Sequence, residues 1–446
     1  MQTTLRNEQI IVIGFPAWEG EYLKSTVQLV SELAKENNVL YVEYPFTWKD
    51  AIMGSLGRAK TPWRRILGKE ERLRNLKLEN GAQVNVLTLP PMLPVNFLRG
   101  DGLYDLFMGA NARKAHTAIQ SAMKQLSFSR PVVVNAFNPF LGVFLARQFG
   151  EKALLYYCYD EISAAKWAGR HGERLERKFI QQVDAVITSS QPLFQAKKQL
   201  AKRSFLVKNG VDFDLFSRKT NPNELSHSKT IGYLGSLDER VDYDLLESTI
   251  RQMPQYQFTF VGRVNSPEAD RIKCLPNVEV VGSQPAASLP IWVEKFGVCM
   301  IPFLKNELTA GIYPLKINEY FAMGKPVVTT NFGDLDDFRH LVTVADTSEA
   351  FVEALKAALD DDRPNLTAKR IAFAHGNSWS QRAAQMGIAI QQVVAENRVL
   401  ANSSEPIWMP DNYNRWGSSS EAFFCGKISL PRLGQTSALP SNLAFS

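Results

Sequence analysis

The chain has 446 residues, of which 45% are hydrophobic, and a formal net charge of +6 at pH 7. This length exceeds what one hydrophobic core usually organises, so the sequence predicts a large α/β enzyme with two domains. No apolar run approaches the ~20 residues that span a bilayer, and the four cysteines lack metal-ligand spacing, which argues against a membrane span, a zinc site and a disulfide framework. We expect reduced thiols and a cytoplasmic location.

Apolar runs alternate with helical patterns through the first half of the chain. The run at residues 10–14 is short and predicts a first strand, not a signal peptide. Strand patterns recur at residues 10–14, 39–42, 84–89, 132–134, 154–157 and 185–188. This alternation predicts one parallel-sheet domain over residues 1–213.

A polar run at residues 220–229 follows the turn at 209–212 and ends where a second alternation begins. Strand patterns in this part are at residues 230–234, 257–261, 278–281, 298–301 and 327–330. They predict a second parallel-sheet domain over residues 214–378. Ligands of open parallel sheets bind beyond the carboxyl ends of the strands, so we expect a site in the cleft between the domains.

The last part of the chain divides into a helix and a polar tail. Residues 379–400 have the pattern of a long amphipathic helix. Residues 401–446 are rich in Ser, Pro and Asn and predict a disordered tail, with a docking role for its isolated aromatic residues as the alternative.

Positive charge is concentrated between Arg58 and Lys77. This segment predicts contact with an anionic membrane or, alternatively, a solvated loop and helix, which Glu70 and Glu71 favour. Nucleic-acid binding is disfavoured because no base-reading motif accompanies the charge. The cations are Arg58, Lys60, Arg64, Arg65, Lys69, Arg72, Arg74 and Lys77.

The segment 302–330, PFLKNELTAGIYPLKINEYFAMGKPVVTT, predicts the end of a strand, a polar loop and a helix from about Pro314 to Gly324. Proline suits the first turn of a helix, and the free amides there attract a diphosphate. Lys316 adds a positive charge, and Glu319 could accept hydrogen bonds from ribose hydroxyls. An ordinary strand, loop and helix with a surface Lys and Glu is the alternative.

This segment resembles the donor-site signature of retaining glycosyltransferases with the glycosyltransferase B fold. The resemblance is to the group 1, family 4-like members, in the bacterial polysaccharide branch that includes teichuronic acid glycosyltransferases. The matching positions are Pro302, Phe303, Asn306, Leu308, Thr309, Pro314, Lys316, Glu319, Tyr320, Ala322, Gly324, Lys325 and Pro326. Many relatives have two Glu separated by seven residues, and the first of these positions is Gly311 here.

The resemblance covers roughly residues 10–395 and implies two Rossmann-like domains facing a cleft, with the last helix crossing back to the first domain. It implies donor binding by residues of the 302–330 segment and of a glycine turn that opens the second domain. A glycine at position 235 lets the backbone approach a phosphate closely. The implied donor-binding residues are Gly235, Ser236, Arg240, Arg263, Asn306, Thr309, Tyr313, Pro314, Leu315, Lys316 and Glu319.

Relatives often place a His after the strand equivalent to residues 154–157, where it faces the reacting sugar. Asp160 and Glu161 occupy that turn here. We expect Asp160 to act at the reacting centre, either accepting the acceptor's proton or holding a donor-sugar hydroxyl, with Glu161 and then His171 as substitutes. The alternative is that Asp160 caps the next helix.

Two Asp-x-Asp strings, at residues 212–214 and 242–244, are typical of metal-dependent glycosyltransferases of another fold. We expect Asp212 to belong to a turn and Asp242 and Asp244 to begin a helix, where carboxylates favour the dipole. The sequence therefore predicts no metal and no cofactor.

Together these features predict a metal-independent, retaining glycosyltransferase. It would move a sugar from a UDP- or GDP-sugar to a hydroxyl of a glycan or lipid-linked acceptor in cell-surface polysaccharide biosynthesis, at the inner face of the plasma membrane. Two alternatives remain open: a sugar-nucleotide epimerase or phosphorylase on the same fold, and a noncatalytic protein that binds sugar nucleotide or glycan.

Overall fold

Residues 5–19, 24–163, 166–217, 228–360 and 364–403 are described by this structure, a computed structural model of the protein. Residues 404–446, most of the predicted tail, lie outside the described residues. So do residues 220–227 of the predicted polar run.

The first sheet is built from β1 (Gln9–Gly14), β2 (Asn38–Val42), β3 (Leu73–Lys77), β4 (Gln83–Leu87), β5 (Val132–Ala136), β6 (Ala153–Cys158), β7 (Ala185–Thr188) and β8 (Ser204–Leu206). Its order is β3-β4-β2-β1-β5-β6-β7-β8, and every pair is parallel except β3 with β4. Its helices are α1 (Ser25–Leu33), α2 (Trp48–Ser55), α3 (Trp63–Ile66), α4 (Asp101–Gln125), α5 (Pro139–Leu145), α6 (Gly172–Gln182) and α7 (Gln191–Lys197). The next helix, α8 (Phe213–Ser217), packs in the core of the second sheet.

The second sheet is built from β9 (Thr230–Leu234), β10 (Gln257–Val261), β11 (Val278–Gly282), β12 (Val298–Ile301), β13 (Val327–Thr329) and β14 (Thr343–Val344). These parallel strands have the order β11-β10-β9-β12-β13-β14. The remaining helices are α9 (Tyr243–Gln252), α10 (Asp270–Lys273), α11 (Leu289–Glu294), α12 (Glu307–Ala310), α13 (Leu315–Ala322), α14 (Ser348–Leu359), α15 (Pro364–Gly376) and α16 (Trp379–Ser403).

Central strands are hydrophobic along their whole length because helices cover both faces of the sheet. Every residue of β5 and β6 is buried. In the first sheet, α4, α5 and α6 pack on one face, and α1 and α16 pack on the other. The helix α16 follows the second sheet in the chain but lies on the first, so it ties the two halves together.

The chain passes between the two sheets twice, and the two passages are hydrogen-bonded to each other. The Val211 amide donates to the Asn377 carbonyl at 3.0 Å, and the Trp379 amide donates to the Val211 carbonyl at 3.0 Å. The Asn377 side chain also donates to Asn318 of α13 at 3.2 Å. The two linking passages are therefore in direct contact with α13, the helix that the sequence assigns to donor binding.

A second contact joins the carboxyl edges of the two sheets. Asp334, which follows β13, accepts a hydrogen bond from the Gln191 amide at the start of α7 at 2.7 Å. Lys208 of the first half lies 3.3 Å from Asp334 and 2.9 Å from Asp337. The two carboxyl edges consequently face each other across a cleft.

The predicted α/β class with two parallel sheets is confirmed. Three strands were missed, β3, β8 and β14, and each lies at the edge of its sheet. The alternative of a solvated loop and helix for the basic segment 58–77 is wrong at its end, because β3 (Leu73–Lys77) pairs antiparallel with β4 there. Charged side chains are common on edge strands, which explains why this one had no apolar signature. None of the described helices is long and apolar enough to span a membrane.

Candidate active site

Two glycines, Gly235 and Gly262, form the part of the cleft that we call the glycine floor, where main chain without side chains lines the second half. Gly235 follows β9 and Gly262 follows β10, with φ of +152° and +157°. The Gly235 amide donates to the Val261 carbonyl at 2.8 Å, and a Cβ at position 262 would overlap the Gly235 carbonyl. A Cβ at position 235 would overlap the Lys316 side chain. Only glycine allows this close approach, and it leaves backbone groups accessible beside a lysine.

Two cations face one aromatic ring beside this floor. Arg240 Cζ lies 5.4 Å and Lys316 Nζ lies 5.9 Å from the centroid of Phe303. Asp238 pairs with the Arg240 guanidinium through two hydrogen bonds of 2.9 and 2.6 Å. Burial lowers the pKa of Lys316 to about 8, and the positive charge of Arg240 adds to this shift. An anion placed here would stabilise the charged lysine, so the electrostatics suit a phosphate.

Glu319 lies one turn after Lys316 on α13 and is half-buried. Burial raises the pKa of its carboxyl, Lys316 opposes that rise, and Asp212 adds to it. The side chain of Asp212 accepts a hydrogen bond from the Leu215 amide at 3.0 Å and so caps α8. A carboxylate in this position can accept hydrogen bonds from the hydroxyls of a bound nucleoside.

Ser236 and Arg263 border the glycine floor, and both are half-buried. The Ser236 carbonyl accepts a hydrogen bond from the Tyr233 hydroxyl at 3.0 Å. The Arg263 carbonyl accepts one from the Leu237 amide at 2.7 Å. Their main chains therefore hold the loops in place, and binding of a donor by their side chains stays a prediction.

The loop before α13 is held together by its own polar side chains. Asn306 caps α12, and Thr309 completes a capping box with it: the Thr309 amide donates to Asn306 Oδ1 at 3.0 Å, and the Asn306 amide donates to Thr309 Oγ1 at 3.2 Å. Tyr313 packs between Lys208, 5.1 Å from its ring, and Phe338. These residues shape the loop, and contact with a donor stays a prediction for them.

The first turn of α13 lies at the boundary between the two halves. Pro314 is buried and stands at the cap position immediately before the helix. Leu315 packs against the cluster formed by the first sheet and α16. The amides that begin α13 are thus held rigidly at the cleft, where their dipole favours an anion.

On the opposite wall, Asp160 follows β6 and is exposed to the cleft. Its carboxylate accepts a hydrogen bond from the Glu161 amide at 2.9 Å, and the side chain caps none of the described helices. Burial by the surrounding protein raises the pKa of Asp160, while the Glu161 amide and the positive charge of Arg240 oppose the rise. Asp160 is therefore within electrostatic reach of the second half of the chain.

Glu161 belongs to a buried chain of charges. Lys197 lies 3.1 Å from Glu161 and 2.7 Å from Glu176. Only 6% of Lys197 and 3% of Glu176 are exposed, so this pair is shielded from water. Burial raises the pKa of Glu161, but Lys197 and Ser163 outweigh that effect and lower it overall. The two adjacent carboxyls of this turn thus have pKa values shifted in opposite directions.

The pair Lys197 and Glu176 escaped the sequence analysis. Glu176 lies on the face of α6 that also buries Leu175 and Phe179, and Lys197 stands four residues after the buried Leu193 on α7. A charged residue in the apolar stripe of a helix was the available signal, because such residues are rarely buried unless they are paired.

Gly311 stands across the cleft from Glu161. A Cβ at this position would lie 4.0 Å from Glu161 Cβ and 4.0 Å from Leu193 Cδ2, which is ordinary contact. Its φ is −83°, so the backbone does not require glycine. The departure from the two-Glu pattern is therefore not imposed by the local geometry.

Two further features lie on the first-half side of the turn. A cavity of about 280 Å³ adjoins Glu161, and its polar lining includes Ser163, Glu173 and Arg177. His171 does not face this turn: it is buried, stacks on Tyr104 at 3.9 Å, and its Nε2 lies 2.8 Å from the Leu98 carbonyl.

The two Asp-x-Asp strings have structural roles, as expected. Asp242 caps α9 by accepting from the Leu245 amide at 3.0 Å, and Asp244 lies in the first turn of that helix. In the part of the chain that the structure describes, no group of three or more His, Cys, Asp or Glu is placed to hold a metal ion.

Comparison with known proteins agrees with this geometry. Residues 228–361 match the family model described as Glycosyl transferases group 1. A Bacillus subtilis (strain 168) protein, named for a role as a glycosyltransferase of teichuronic acid biosynthesis, is 28% identical over 204 residues, which are 40% of this chain. The match spans about half, 50%, of that relative's length.

Solved structures share the two-domain architecture. An α,α-trehalose-phosphate synthase (UDP-forming) from Burkholderia vietnamiensis superposes with a TM-score of 0.63 and 12% identity over 90% of this chain and 100% of that one. Anabaena HepE in complex with UDP superposes with a TM-score of 0.56 and 16% identity, over 89% of this chain and 100% of that one. At these identities the likeness concerns the fold. This chain therefore has the glycosyltransferase B fold, and residues 228–361 of its second half are similar to the Glycosyl transferases group 1 family.

Proposed function

We propose that this protein is a glycosyltransferase that moves a sugar from a UDP- or GDP-sugar to a hydroxyl of a glycan or lipid-linked acceptor in cell-surface polysaccharide assembly. The observation that carries the proposal is the pair of cations, Lys316 and Arg240, held beside bare backbone at Gly235 and opposite the carboxyl of Asp160. The group 1 domain and the B. subtilis relative support it.

In this proposal residues 214–378 bind the donor, residues 1–213 bind the acceptor, and residues 379–400 join the two. Lys316, the amides beside Gly235 and the start of α13 hold the diphosphate, and Glu319 accepts hydrogen bonds from the ribose. Arg240, beside Lys316, and Arg263 add positive potential. The cavity beside Glu161 has the polar lining that a sugar acceptor needs.

The reaction breaks the bond between the anomeric carbon and the diphosphate oxygen and forms one between that carbon and the acceptor oxygen. Negative charge develops on the departing diphosphate, where Lys316 and the helix amides stabilise it, so the step needs no metal ion. Asp160, with its raised pKa, takes the acceptor's proton, and the ionised Glu161 stabilises positive charge on the sugar. The resemblance of residues 302–330 to retaining glycosyltransferases supports retention of the anomeric configuration, which requires the acceptor oxygen to attack from the face that the diphosphate leaves.

The test combines binding and turnover. Calorimetry with UDP, GDP and dTDP should show one preferred nucleotide, and a membrane extract should yield a radiolabelled product from the corresponding sugar nucleotide. Turnover should persist in EDTA, and proton NMR of the product should show the donor's anomeric configuration.

Three results would contradict the proposal or part of it. Nucleotide binding without any product would indicate a noncatalytic binding protein. Conversion of the free sugar nucleotide without acceptor would indicate an epimerase. Activity that disappears in EDTA and returns with manganese would overturn metal independence.

A further inference from the structure

Exposed large hydrophobic side chains are concentrated on one part of the first half. Of the twelve such residues in the described part of the chain, seven lie in two short segments, around α2 and at the start of α4. Surface hydrophobics scattered singly are normal, whereas a cluster marks a place of interaction. The seven, which we call the apolar rim, are Trp48, Ile52, Leu56, Phe97, Leu103, Leu106 and Phe107.

The helical members of the rim lie on the outer faces of their helices. Trp48, Ile52 and Leu56 follow a spacing of four along α2 and its C-terminal cap, while the opposite face buries Ala51 and Gly54. Residues at this spacing share one side of a helix. The helix thus has a buried small-residue face and an exposed apolar face, which solubility alone would not favour.

Leu103, Leu106 and Phe107 are similarly grouped on α4, whose other face buries Tyr104 and Met108. Leu106 is 64% exposed and Phe97, just before the helix, is 72% exposed. These side chains are too exposed to contribute substantially to the core.

The fold brings the two segments to the same edge of the sheet. They follow β2 and β4, which are adjacent parallel strands, and the Trp48 amide donates to the Met92 carbonyl at 3.0 Å. Asp160 follows β6 at this same carboxyl edge. The rim is therefore beside the mouth of the cleft and not on the far side of the domain.

The rim has cations around it. Residues 48–66 contain Lys49, Arg58, Lys60, Arg64 and Arg65 and a single carboxylate. That carboxylate, Asp50, is occupied in the capping box of Thr47. The other rim segment, residues 97–107, contains Arg99, Asp101 and Asp105, and both carboxylates face Arg174. The charge around the exposed aromatic and aliphatic side chains is therefore net positive and complements an anionic lipid surface, where each nearby cation contributes about 1 kcal/mol.

The rest of the basic segment is a weaker candidate for this contact. Arg65 and Arg74 are 3.0 and 2.5 Å from Glu19, and Arg64 is 2.8 Å from Glu70, so much of the charge from α3 onward is neutralised within the protein. Arg72 donates to main-chain carbonyls at 3.2 and 3.1 Å. The cations that accompany the apolar side chains are Lys49 of α2 and Arg58 and Lys60 of the loop that follows it.

We propose that the apolar rim docks this protein reversibly on an anionic lipid bilayer, with Trp48, Ile52, Leu56, Phe97, Leu103, Leu106 and Phe107 entering the interface and the exposed Lys49, Arg58 and Lys60 contacting lipid phosphates. Docking in this orientation presents the mouth of the cleft to the membrane, so that a lipid-linked acceptor reaches Asp160 without leaving the bilayer. The presentation of an acceptor rests on the proposed function, whereas the docking does not.

Co-sedimentation of the full chain with vesicles tests the docking. We expect binding to vesicles of phosphatidylcholine mixed with phosphatidylglycerol, weaker binding to phosphatidylcholine alone, and release by salt. The double variant Ile52→Glu with Leu106→Glu should lose at least about 10-fold in partitioning, since it removes two inserted side chains and adds two negative charges. Ile291→Glu is the matched control, because Ile291 is 43% exposed on α11 of the other half and should leave partitioning unchanged.

All these variants should keep the wild-type melting temperature and nucleotide affinity, since the substituted side chains are exposed. Failure of the wild type to bind anionic vesicles would overturn the proposal. So would a double variant that binds as well as the wild type, which would place the anchor elsewhere, or a wild type that self-associates through the rim and ignores vesicles.

The transferase assay separates this proposal from the proposed function. With a membrane-embedded acceptor the double variant should lose turnover, whereas with a detergent-solubilised acceptor it should match the wild type. Vesicle binding in a chain that forms no product would leave the docking intact and refute the transferase. Equal loss with both acceptors would refute the role of the rim in acceptor presentation.

Discussion

The two walls of the cleft differ in how they hold charge. In the second half, Lys316 and Arg240 stand side by side against one ring, and the pKa of Lys316 is lowered to about 8. In the first half, Glu161 and Glu176 are paired with Lys197, and the resulting cluster is buried. On the second wall, Arg240 is already paired with Asp238, and Lys316 has a charge that an anionic ligand would stabilise. On the first wall, the charge of Lys197 is compensated within the fold.

This difference teaches that binding and positioning are assigned to different walls. A charged side chain that a bound ligand stabilises, such as Lys316, contributes to recognition. Its substitution should therefore change ligand affinity more than the free energy of unfolding. Charges that are paired within the protein, such as Lys197 with Glu176, support the turn that bears Asp160 and Glu161. Substitutions on the two walls should therefore separate effects on stability, turnover and affinity.

The largest effect on stability is expected from Lys197→Met. It leaves the buried carboxylate of Glu176 without its cation, which typically costs about 3–5 kcal/mol. Urea denaturation measures the change. Adding Glu176→Gln should recover most of the loss, because the uncompensated charge is then gone. A loss below about 1 kcal/mol in the single variant would show that the cluster is not a structural element.

Asp160→Asn should have the largest effect on turnover. Asparagine keeps the size and most of the hydrogen-bonding capacity but removes the negative charge, so a role in proton transfer predicts a rate loss of about 10²-fold or more with nucleotide affinity intact. Turnover and calorimetry on the one variant provide the measurement. Near-normal turnover would exclude Asp160 and direct attention to Glu161, since His171 is buried away from the turn.

On the second wall, Lys316→Ala and Glu319→Ala should each weaken nucleotide binding by about 1–3 kcal/mol, the range of a charge-assisted hydrogen bond. Both side chains are half-buried, so the melting temperature should change little. Isothermal calorimetry with the preferred nucleotide checks the expectation. Unchanged affinity in both variants would remove α13 from the donor site.

The part of the fold and of the candidate site that could be predicted from the sequence differs between the two walls. The apolar strands and the 302–330 segment have local signatures, and from these the sequence predicted the sheets and the positions of Lys316, Glu319 and Gly235. Edge strands such as β3 lack an apolar run because one side is paired and the other meets solvent. Their existence depends on tertiary pairing that no local window contains.

The cluster at Lys197 and the apolar rim were missed for related reasons. Lys197 and Glu176 come from α7 and α6, and only folding brings the two side chains together at 2.7 Å. Periodicity alone does not tell an apolar stripe that faces the core from one that faces outward, so the sequence pattern does not show that Ile52 and Leu106 face outward. A sequence pattern does not show which side chains of different helices will pair, or whether the apolar face of a helix points to the core or to solvent.

The pH dependence of donor binding sharpens the contrast further. Because the pKa of Lys316 is about 8, its charged fraction falls as pH rises past that value, and donor affinity should fall with it. The effect on stability has the opposite sign: the unfolded chain binds the proton up to the ordinary value of 10.5, so the lysine's contribution to folding improves between about pH 8 and 10.5. Calorimetry at several pH values should show the loss in the wild type and not in Lys316→Met. An identical pH profile in both proteins would contradict this assignment.

The smallest effect is expected at Gly311, where the two walls meet. Its φ of −83° is accessible to any residue, and a Cβ would meet Glu161 and Leu193 only at 4.0 Å. Gly311→Ala should therefore stabilise the protein slightly, by about 0.4–1 kcal/mol, by restricting the unfolded chain, and leave turnover unchanged.

Gly235→Ala is the contrasting variant: its φ of +152° and the overlap with Lys316 should make it destabilising and weaken nucleotide binding. A large loss of turnover in Gly311→Ala, with stability preserved, would show that a substrate passes through the space beside Glu161, and the first wall would then take part in recognition as well.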